Sequence, residues 1–446
     1  MTTTRRRAPR HPARLVVYGF GVAVLAGTAA LMLPAAADGR TTTPVTALFT
    51  ATGALTGALA VVDTSTHWST FGQLVVLGLI QAGGLGIMTL ASVLALLVAR
   101  SLGLRMQLTA QTESRALGLG EVRRVLAGVV AVSLLVEAVI SVPLTVRFAT
   151  TYGESPGRAA YLGVFHSVSA YNNAGYALFS DNLAGFVADP YVCVPVMLAM
   201  IAGSVGFPVL FELARRVRHR GHRWTLHTRI TLITYGGLLV LGAVAITALE
   251  WRNGATLGRL APPHRLLAGL FHAITPRTSG FNTVDVGQFH PATLLVNDVL
   301  MFIGGGSAST AGGIKVTTFA LLASVSLAEI RGEPTVHVMG RRITAEVQRQ
   351  ALTVALLGIG AVMTATVALL AMTEHPLDDV LFEAVSAFGT VGLSTGITAQ
   401  LPVAGQLILV ALMFIGRIGP ITVASALALR ERRRRYELPE ERPVVG

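Results

Sequence analysis

Charged side chains are scarce in this sequence of 446 residues: only 13% are Asp, Glu, Lys or Arg, and 52% of residues are hydrophobic. Soluble domains carry about 25% charged residues, so an ordinary water-soluble fold is excluded. Cysteine occurs once, as Cys193, which excludes an internal disulfide and a cysteine metal cluster. Lysine also occurs once, as Lys315, so the net charge of +12 comes almost entirely from arginine.

Long apolar runs take the place of these missing residues. Several are about as long as the ~20 residues that a helix needs to cross a bilayer, for example 15–33, 73–98, 125–146 and 351–372. The first run follows an arginine-rich start without a convincing cleavage site, so we interpret it as a retained helix.

Arginine clusters in alternate loops between the apolar runs. By the positive-inside rule these loops are cytoplasmic, which predicts cytoplasmic termini and an even number of crossings. This placement favours a membrane protein and argues against nucleic acid as the partner of the basic charge.

A four-fold repeat is visible in the sequence. Four short segments each begin with Phe and end in a turn that contains glycine, and each lies between two longer apolar runs. They run from Phe49 to Gly57, from Phe165 to Gly175, from Phe271 to Gly280 and from Phe382 to Gly392. Single glycines commonly serve close helix packing, but four copies in one register favour a shared role for the turns.

The repeat predicts an all-α polytopic membrane protein with four tandem helix–pore-loop–helix units around a central pore. We expect eight transmembrane helices and four re-entrant pore helices that enter from outside. The expected divisions are tails at 1–14 and 430–446 and repeats at 15–98, 99–217, 218–330 and 331–429. The expected crossings are 15–33, 68–98, 122–148, 191–217, 227–250, 292–329, 346–373 and 402–429.

This architecture suits a monovalent cation. A short helix directs its partly negative C-terminal end toward the centre, and the following turn presents carbonyl groups that replace the hydration shell of an ion. Asp63, Asp181 and Asp285 follow three of the turns. They are either charges at an outer mouth that concentrate cations or ordinary solvated loop charges.

A glycine-rich run interrupts the apolar segment 292–329. It contains Gly304, Gly305, Gly306, Gly312 and Gly313 and ends at Lys315. Such a run cannot stay helical, and a broken membrane helix marks a pathway or a hinge, so we expect a gate below the turns. Lys315 belongs to this gate or extends to the cytoplasmic surface. The pattern of a nucleotide-binding loop is absent, because Val316 follows the lysine.

Four further charged or titratable positions lie in apolar sequence. Arg417 either bonds the carbonyl groups of the gate or forms a structural ion pair. Glu137 needs a partner that the sequence does not identify. His166 and His272 lack metal-ligand spacing and are interpreted as structural. No catalytic set is recognisable, so we do not expect an enzyme; a non-conducting receptor with this fold is a further alternative.

Five motifs carry a resemblance to a known family. The motifs are FHSVSAYNNAG at 165–175, TSGFNTVD at 278–285, MFIGGGSASTAGGIK at 301–315, SAFGTVGLSTG at 386–396 and MFIGRIGP at 413–420. With these motifs the chain resembles the Trk/Ktr/HKT superfamily of potassium transporters, and most of all the membrane subunit of Ktr-type systems (the TrkH/KtrB family). The resemblance extends over about residues 15–430.

The resemblance implies a selectivity filter, a gate and partners. The filter residues would be Thr56, Gly57, Asn173, Ala174, Gly175, Ser279, Gly280, Val391 and Gly392. The gate would comprise Gly304, Gly305, Gly306, Gly312, Gly313, Lys315 and the contacting Arg417. Relatives form homodimers in the lipid bilayer of the bacterial plasma membrane and assemble with a cytoplasmic ring of nucleotide-binding RCK-type subunits (KtrA/TrkA-like).

The first repeat departs from the family pattern. Its segment from Phe49 to Gly57 is shorter than the others, and counting back from Asp63 places the expected glycine at Ala58. The resemblance implies potassium uptake through backbone carbonyls, with K⁺ held at the filter as the transported ion and no covalent cofactor. Because the first repeat departs from the pattern, the alternative is a less selective channel for Na⁺ and K⁺.

Overall fold

The computed structural model describes residues 12–39, 41–107, 119–219 and 223–429, and these residues are mostly helical. A short antiparallel hairpin of β1 (His337–Val338) and β2 (Arg341–Arg342) lies among them. The helices in this part of the chain are α1 (Pro12–Leu31), α2 (Pro44–Thr56), α3 (Thr64–His67), α4 (Thr70–Gln107), α5 (Leu119–Thr150), α6 (Pro156–Tyr171), α7 (Pro190–Val205), α8 (Phe207–Arg218), α9 (Leu226–Glu250), α10 (Pro262–Ile274), α11 (Pro291–Phe302), α12 (Val316–Ile330), α13 (Ala345–Leu370), α14 (Leu377–Gly389) and α15 (Val403–Leu429). Most of the tail 1–14 and all of the tail 430–446 lie outside the described residues.

Four short helices, α2, α6, α10 and α14, contain the Phe-to-Gly segments of the sequence. Each begins at a proline or directly after one, namely Pro44, Pro156, Pro262 and Pro376. Proline suits the first helical position, because its fixed φ is already helical and its missing N–H has no partner there anyway. The starts of these helices are therefore encoded locally.

The four short helices are arranged in a ring. Each packs against the preceding helix of its own repeat and also contacts the repeat before it. These second contacts are α15 with α2, α4 with α6, α7 with α10, and α11 with α14. The last repeat thus contacts the first, which closes the ring.

The phenylalanine that opens each segment lies inside this ring. Phe49, Phe165, Phe271 and Phe382 are all 0% exposed. Lipid is as apolar as these rings, so close packing rather than transfer out of water holds them in a membrane. They fix the rotation of each short helix and therefore the position of the turn that follows it.

Four helical segments are long and apolar enough to cross a membrane, among the residues that the structure describes. They are Thr70–Ala91, Val125–Thr150, Leu226–Glu250 and Ala345–Leu370. Shorter apolar helices are found at Val17–Leu31, Pro291–Phe302, Val316–Ile330 and Val403–Gly419.

Two expected crossings are broken in the structure. The segment 191–217, expected as one helix, bends by 106° between α7 and α8 at Gly206, whose φ of 97° few other residues adopt. The apolar segment 292–329 is divided into α11 and α12 by non-helical residues, as the glycine run predicts. The break at Gly206 lies against this second break, because Phe207 N donates to the carbonyl of Ala308 at 3.2 Å.

Candidate ion-conduction site

Three glycine-containing turns meet at the centre of the ring. A Cβ atom placed on Gly175 would lie 2.5 Å from the carbonyl oxygen of Ser279, and one placed on Gly280 would lie 2.5 Å from that of Val391. The Cβ position of Gly280 is also 3.2 Å from the Cα atoms of both Gly175 and Gly392. All three glycines have positive φ, so both the close approach and the backbone conformation require glycine.

The first repeat completes the ring at the carbonyl group of Ala58. A Cβ atom on Gly392 would lie 3.1 Å from this oxygen, and one on Gly57 would lie 2.7 Å from the carbonyl oxygen of Asn173. Each turn therefore touches the next one around the centre. Backbone oxygens from all four repeats, those of Ala58, Asn173, Ser279 and Val391, take part in these close contacts.

The left-handed residues show how the turns correspond. Asn173, Thr278 and Thr390 each lie two residues before a turn glycine and have φ of 54°, 83° and 49°. Gly57 has φ 68° and ψ 50°, close to the φ 49° and ψ 50° of Thr390. Gly57 therefore corresponds to these three residues and not to the glycines that follow them.

Backbone hydrogen bonds give the same register. Ala58 N donates to Gly53 O at 2.8 Å, as Val391 N donates to Ser386 O at 2.9 Å, and an equivalent bond closes the second turn. Ala58 thus matches Val391, which puts Leu59 in the place of glycine. The sequence predicted Gly57, with Ala58 as the alternative, whereas this backbone register gives that place to Leu59. The physical reason is one of spacing. The left-handed residue Gly57 lies eight residues after Phe49, just as Asn173 lies eight after Phe165 and Thr390 eight after Phe382.

Leu59 changes the shape of the first turn. Its side chain is buried, and its φ is not among the positive values that the described residues show. Its carbonyl oxygen accepts a hydrogen bond from Tyr176 Oη at 3.3 Å and lies where a Cβ atom of residue 53 would be. Gly53 makes room for that oxygen, whereas the second and fourth repeats carry Ser169 and Ser386 at this position.

The other predicted filter residues lie at or next to these turns. Thr56 ends α2, and its hydroxyl donates to Thr52 O at 2.7 Å, inside the helix. Ser279 similarly donates its hydroxyl to Thr275 O at 3.3 Å. Ala174 is buried between its neighbours. The side chains therefore serve the local helix ends, and the backbone is what the turns present to one another.

A cavity of about 150 Å³ lies beside the turns and is lined by Ala58, Asp63, Gly175 and Gly392, among others. The Asp63 carboxylate accepts hydrogen bonds from Ser65 N and Ser65 Oγ, both at 2.8 Å. Burial raises the pKa of Asp63, but these hydrogen bonds and that from Ser180 outweigh it, so its pKa lies below the ordinary value. A negative charge is therefore kept next to the turns.

The glycine-rich loop at 304–315 lies against the turns of the second and fourth repeats. Thr310 Oγ1 accepts from Asn173 Nδ2 at 2.6 Å and donates to Tyr171 O at 3.2 Å. A Cβ atom on Gly312 would collide with the hydroxyl of Thr390. The loop therefore occupies the space directly behind two of the four turns.

The base and flank of this loop are held by backbone bonds. Gly304 N donates to Ile314 O at 2.8 Å, which draws the ends of the loop together. Gly306 N donates to Ser204 O at 2.7 Å, so the loop is tied to the end of α7. Gly305 also packs closely there, because a Cβ atom on it would lie 2.5 Å from Ser204 O.

The two basic side chains predicted at the gate, Arg417 and Lys315, both donate to carbonyl groups of the loop. Arg417 is 3% exposed, and its Nη1 donates to the carbonyl of Thr310. Lys315 is half-buried and donates to the carbonyl of Ala311. No carboxylate contacts Arg417 among the described residues, so its bond to the loop is favoured over a structural ion pair. Lys315 bonds within the loop rather than extending away from it.

Glu137 also finds partners. Its carboxylate accepts from Asn172 Nδ2 at 3.1 Å and from Gln81 Nε2 at 3.2 Å.

Sequence analysis did not single out Thr310 or Gly206, although two signals were available. Thr310 is the only threonine in the glycine-rich run, and the Gly206–Pro208 pair is a helix-breaking signal.

Four short helices whose turns meet inside a ring of apolar helices define a multi-pass helical membrane protein with a central backbone-lined site. The family model for TrkH, described as a cation transport protein, matches residues 4–433. The chain therefore belongs to the TrkH family of cation transport proteins, which includes the Ktr and Trk potassium uptake transporters. This confirms the resemblance found in the sequence.

Individual relatives agree with this assignment. The chain is 39% identical to the Ktr system potassium uptake protein B of Bacillus subtilis over 94% of each chain. It is 32% identical to the potassium/sodium uptake protein NtpJ of Enterococcus hirae over 100% of each chain. The crystal structure of the potassium transporter TrkH from Vibrio parahaemolyticus has a similar fold, with a TM-score of 0.73 at 16% identity, over 95% of this chain and 86% of that chain.

Proposed function

We propose that the chain takes up potassium by conducting it through the centre where the four turns meet. The observation that carries this proposal is the close contact among Gly175, Gly280 and Gly392, beside the carbonyl oxygens of Ser279, Val391 and Ala58. Carbonyl oxygens replace the hydration shell of a monovalent cation, and membrane potential supplies the driving force. The filter residues proposed from the sequence keep their roles, except that Leu59 replaces Gly57 in the glycine register.

The proposed topology has eight crossings and four re-entrant helices, divided into repeats at 15–98, 99–217, 218–330 and 331–429. The ring of contacts among the short helices supports this division. The proposed location is the bacterial plasma membrane with both termini cytoplasmic, because arginine is concentrated in alternate loops.

The proposed gate is the loop at 304–315 together with Arg417. The bond from Asn173 to Thr310 and that from Arg417 to the Thr310 carbonyl support a position that obstructs the path behind the turns. The proposed partners are a second copy of the chain and a cytoplasmic nucleotide-binding RCK-type ring. The names of relatives as parts of a "Ktr system" support a membrane component that works with other subunits.

A second candidate function is conduction of K⁺ and Na⁺ with little discrimination. The observation that favours it is Leu59, whose carbonyl group faces Gly53 and Tyr176 and so leaves the first quarter of the ring unlike the others. A relative described as a potassium/sodium uptake protein supports the same reading.

Ion flux into vesicles that contain the purified protein tests both candidates. Potassium and rubidium uptake above that of protein-free vesicles is expected, and its absence would refute the proposed function. The sodium to potassium ratio then separates the two candidates. Gly392→Ser should lower the preference for potassium, because residue 392 has φ 93° and touches Ala58. Gly236→Ser is the matched control, because nothing lies within 4 Å of its Cβ position.

A further inference from the structure

The residue that follows the first phenylalanine of each Phe-to-Gly segment has a common position. These residues are Thr50, His166, His272 and Glu383, and all four are buried. They differ in chemistry, which conceals their correspondence in the sequence.

Three of the four accept a hydrogen bond from the backbone segment that follows the turn. His166 Nε2 accepts from Leu178 N at 3.2 Å, and His272 Nε2 accepts from Thr283 N at 3.3 Å. Glu383 Oε1 accepts from Thr395 N at 3.1 Å. Each bond crosses from the short helix to the backbone beyond the turn.

The donors also share one register. Leu178, Thr283 and Thr395 each lie three residues after a turn glycine. In three repeats the bond therefore holds the backbone at the same position, three residues beyond the turn glycine. A repeated bond made by unlike side chains is not a by-product of packing at one site.

The acceptors are suited to this bond in different ways. His166 Nδ1 lies 2.8 Å from Leu162 O, so this nitrogen carries the proton and leaves the lone pair of Nε2 for Leu178. Glu383 takes two further hydrogen bonds, from Ser394 Oγ and from Thr398 Oγ1, the latter at 2.7 Å. The fourth turn therefore has the most attachments, because one carboxyl group bonds three donors.

The first repeat lacks this bond. Thr50 is 1% exposed, and its Oγ1 has no hydrogen-bond partner among the described residues. Thr50 therefore makes no hydrogen bond to the backbone segment that follows Leu59. The first turn is instead held from the second repeat, by Tyr176 Oη on Leu59 O.

We propose that His166, His272 and Glu383 are positioning residues that fix the turn carbonyl groups and thereby determine cation selectivity. The inference rests on the proposed function. A ring of carbonyl groups discriminates between ions only if its oxygens keep their positions, and supporting bonds supply that rigidity. Without the bond, the turn adjusts to the smaller ion and discrimination is lost.

The test compares the potassium to sodium flux ratio of His272→Leu and His272→Gln with that of the parent protein. Leu removes the acceptor, and we expect a fall in the ratio of about 3- to 10-fold, as for the loss of one buried hydrogen bond. Gln retains an acceptor oxygen and should restore most of the ratio. Glu383→Gln, which also keeps an acceptor, should lower the ratio less than Glu383→Leu.

Thr50→Val is the matched control. It removes a hydroxyl at the same position in the one repeat where no bond is made, so the ratio should not change. Unaltered selectivity in His272→Leu and Glu383→Leu would overturn the inference, and so would an equal loss in Thr50→Val.

Hydrogen exchange provides a readout that does not depend on flux. The Thr283 amide should exchange faster in His272→Leu than in His272→Gln, and equal rates would overturn the proposed bond. This comparison requires only folded protein, which size-exclusion chromatography establishes. A parent protein that exchanges as expected but conducts no potassium would refute the proposed function and the selectivity role, and not the bond.

Discussion

Thr310→Val should increase basal potassium flux, because it releases the loop at 304–315 from the turn of the second repeat. The substitution keeps the size of the side chain and removes only its hydroxyl. That hydroxyl bonds Asn173 at 2.6 Å and Tyr171 at 3.2 Å, and among the described residues no other side-chain hydrogen bond joins the loop to this turn.

The magnitude follows from these two bonds. Each neutral hydrogen bond contributes about 0.5–1.5 kcal/mol net, so about 1–3 kcal/mol holds the loop in place through Thr310. If the bonds exist only while the loop obstructs the path, their loss shifts the equilibrium toward the open state by about 5- to 150-fold. The bond from Arg417 to the Thr310 carbonyl remains, so the loop is loosened and not freed.

The assay is potassium flux into vesicles at matched protein content, without regulatory subunits. Thr231→Val is the control, because Thr231 is also fully buried, its methyl group lies close to the Cβ position of Gly306, and its hydroxyl has no partner among the described residues. An increase for Thr310→Val and none for Thr231→Val would support the gate. Equal flux in parent and Thr310→Val would refute the reasoning.

Two further predictions concern other contacts. Gly305→Ala should alter potassium flux and lower the unfolding temperature, because the added Cβ would lie 2.5 Å from Ser204 O; an unchanged melting curve would show that the loop yields freely. Asp189→Asn should lower the free energy of unfolding by about 1 kcal/mol, since Asp189 bonds Arg147 at 2.8 Å and Tyr152 at 2.9 Å. Burial raises the pKa of Asp189, but these hydrogen bonds lower it below 3.8, so this stabilisation is complete above that pH and lost as pH falls through the lowered pKa. Thermal melts of parent and variant at neutral and acidic pH would test this; an equal difference at both would contradict it.

Local signals made much of the fold predictable from the sequence. Proline marks the start of each short helix, and the glycine run divides α11 from α12 because glycine stabilises a helix poorly. Gly175, Gly280 and Gly392 have positive φ, which glycine adopts readily because it lacks a Cβ atom. Family membership was predictable because five motifs lie in the correct order along the chain.

The register of the first turn was not predictable in this way. Counting from Phe49 and counting back from Asp63 give different answers, and only the path of the backbone decides between them. Gly53 takes part in the decision, since its missing side chain provides the space for the Leu59 carbonyl group. A contact between residues on opposite sides of a turn leaves no periodic pattern in the sequence.

The bonds beyond the turns were missed for a related reason. His166 and His272 were interpreted as structural because they lack metal-ligand spacing, and Glu383 was not singled out. Their shared role depends on a backbone donor, and every residue except proline supplies one. Only the common position after the phenylalanine could have linked two imidazoles and a carboxylate.

Because the four quarters of the centre are encoded in one chain, they can evolve separately. In a channel built from four identical subunits, one codon change alters every quarter at once. Here Thr50, His166, His272 and Glu383 hold the corresponding places with four separate codons, and three different chemistries have already accumulated. If these residues have the role proposed above, natural variation can adjust ion preference in steps of one quarter.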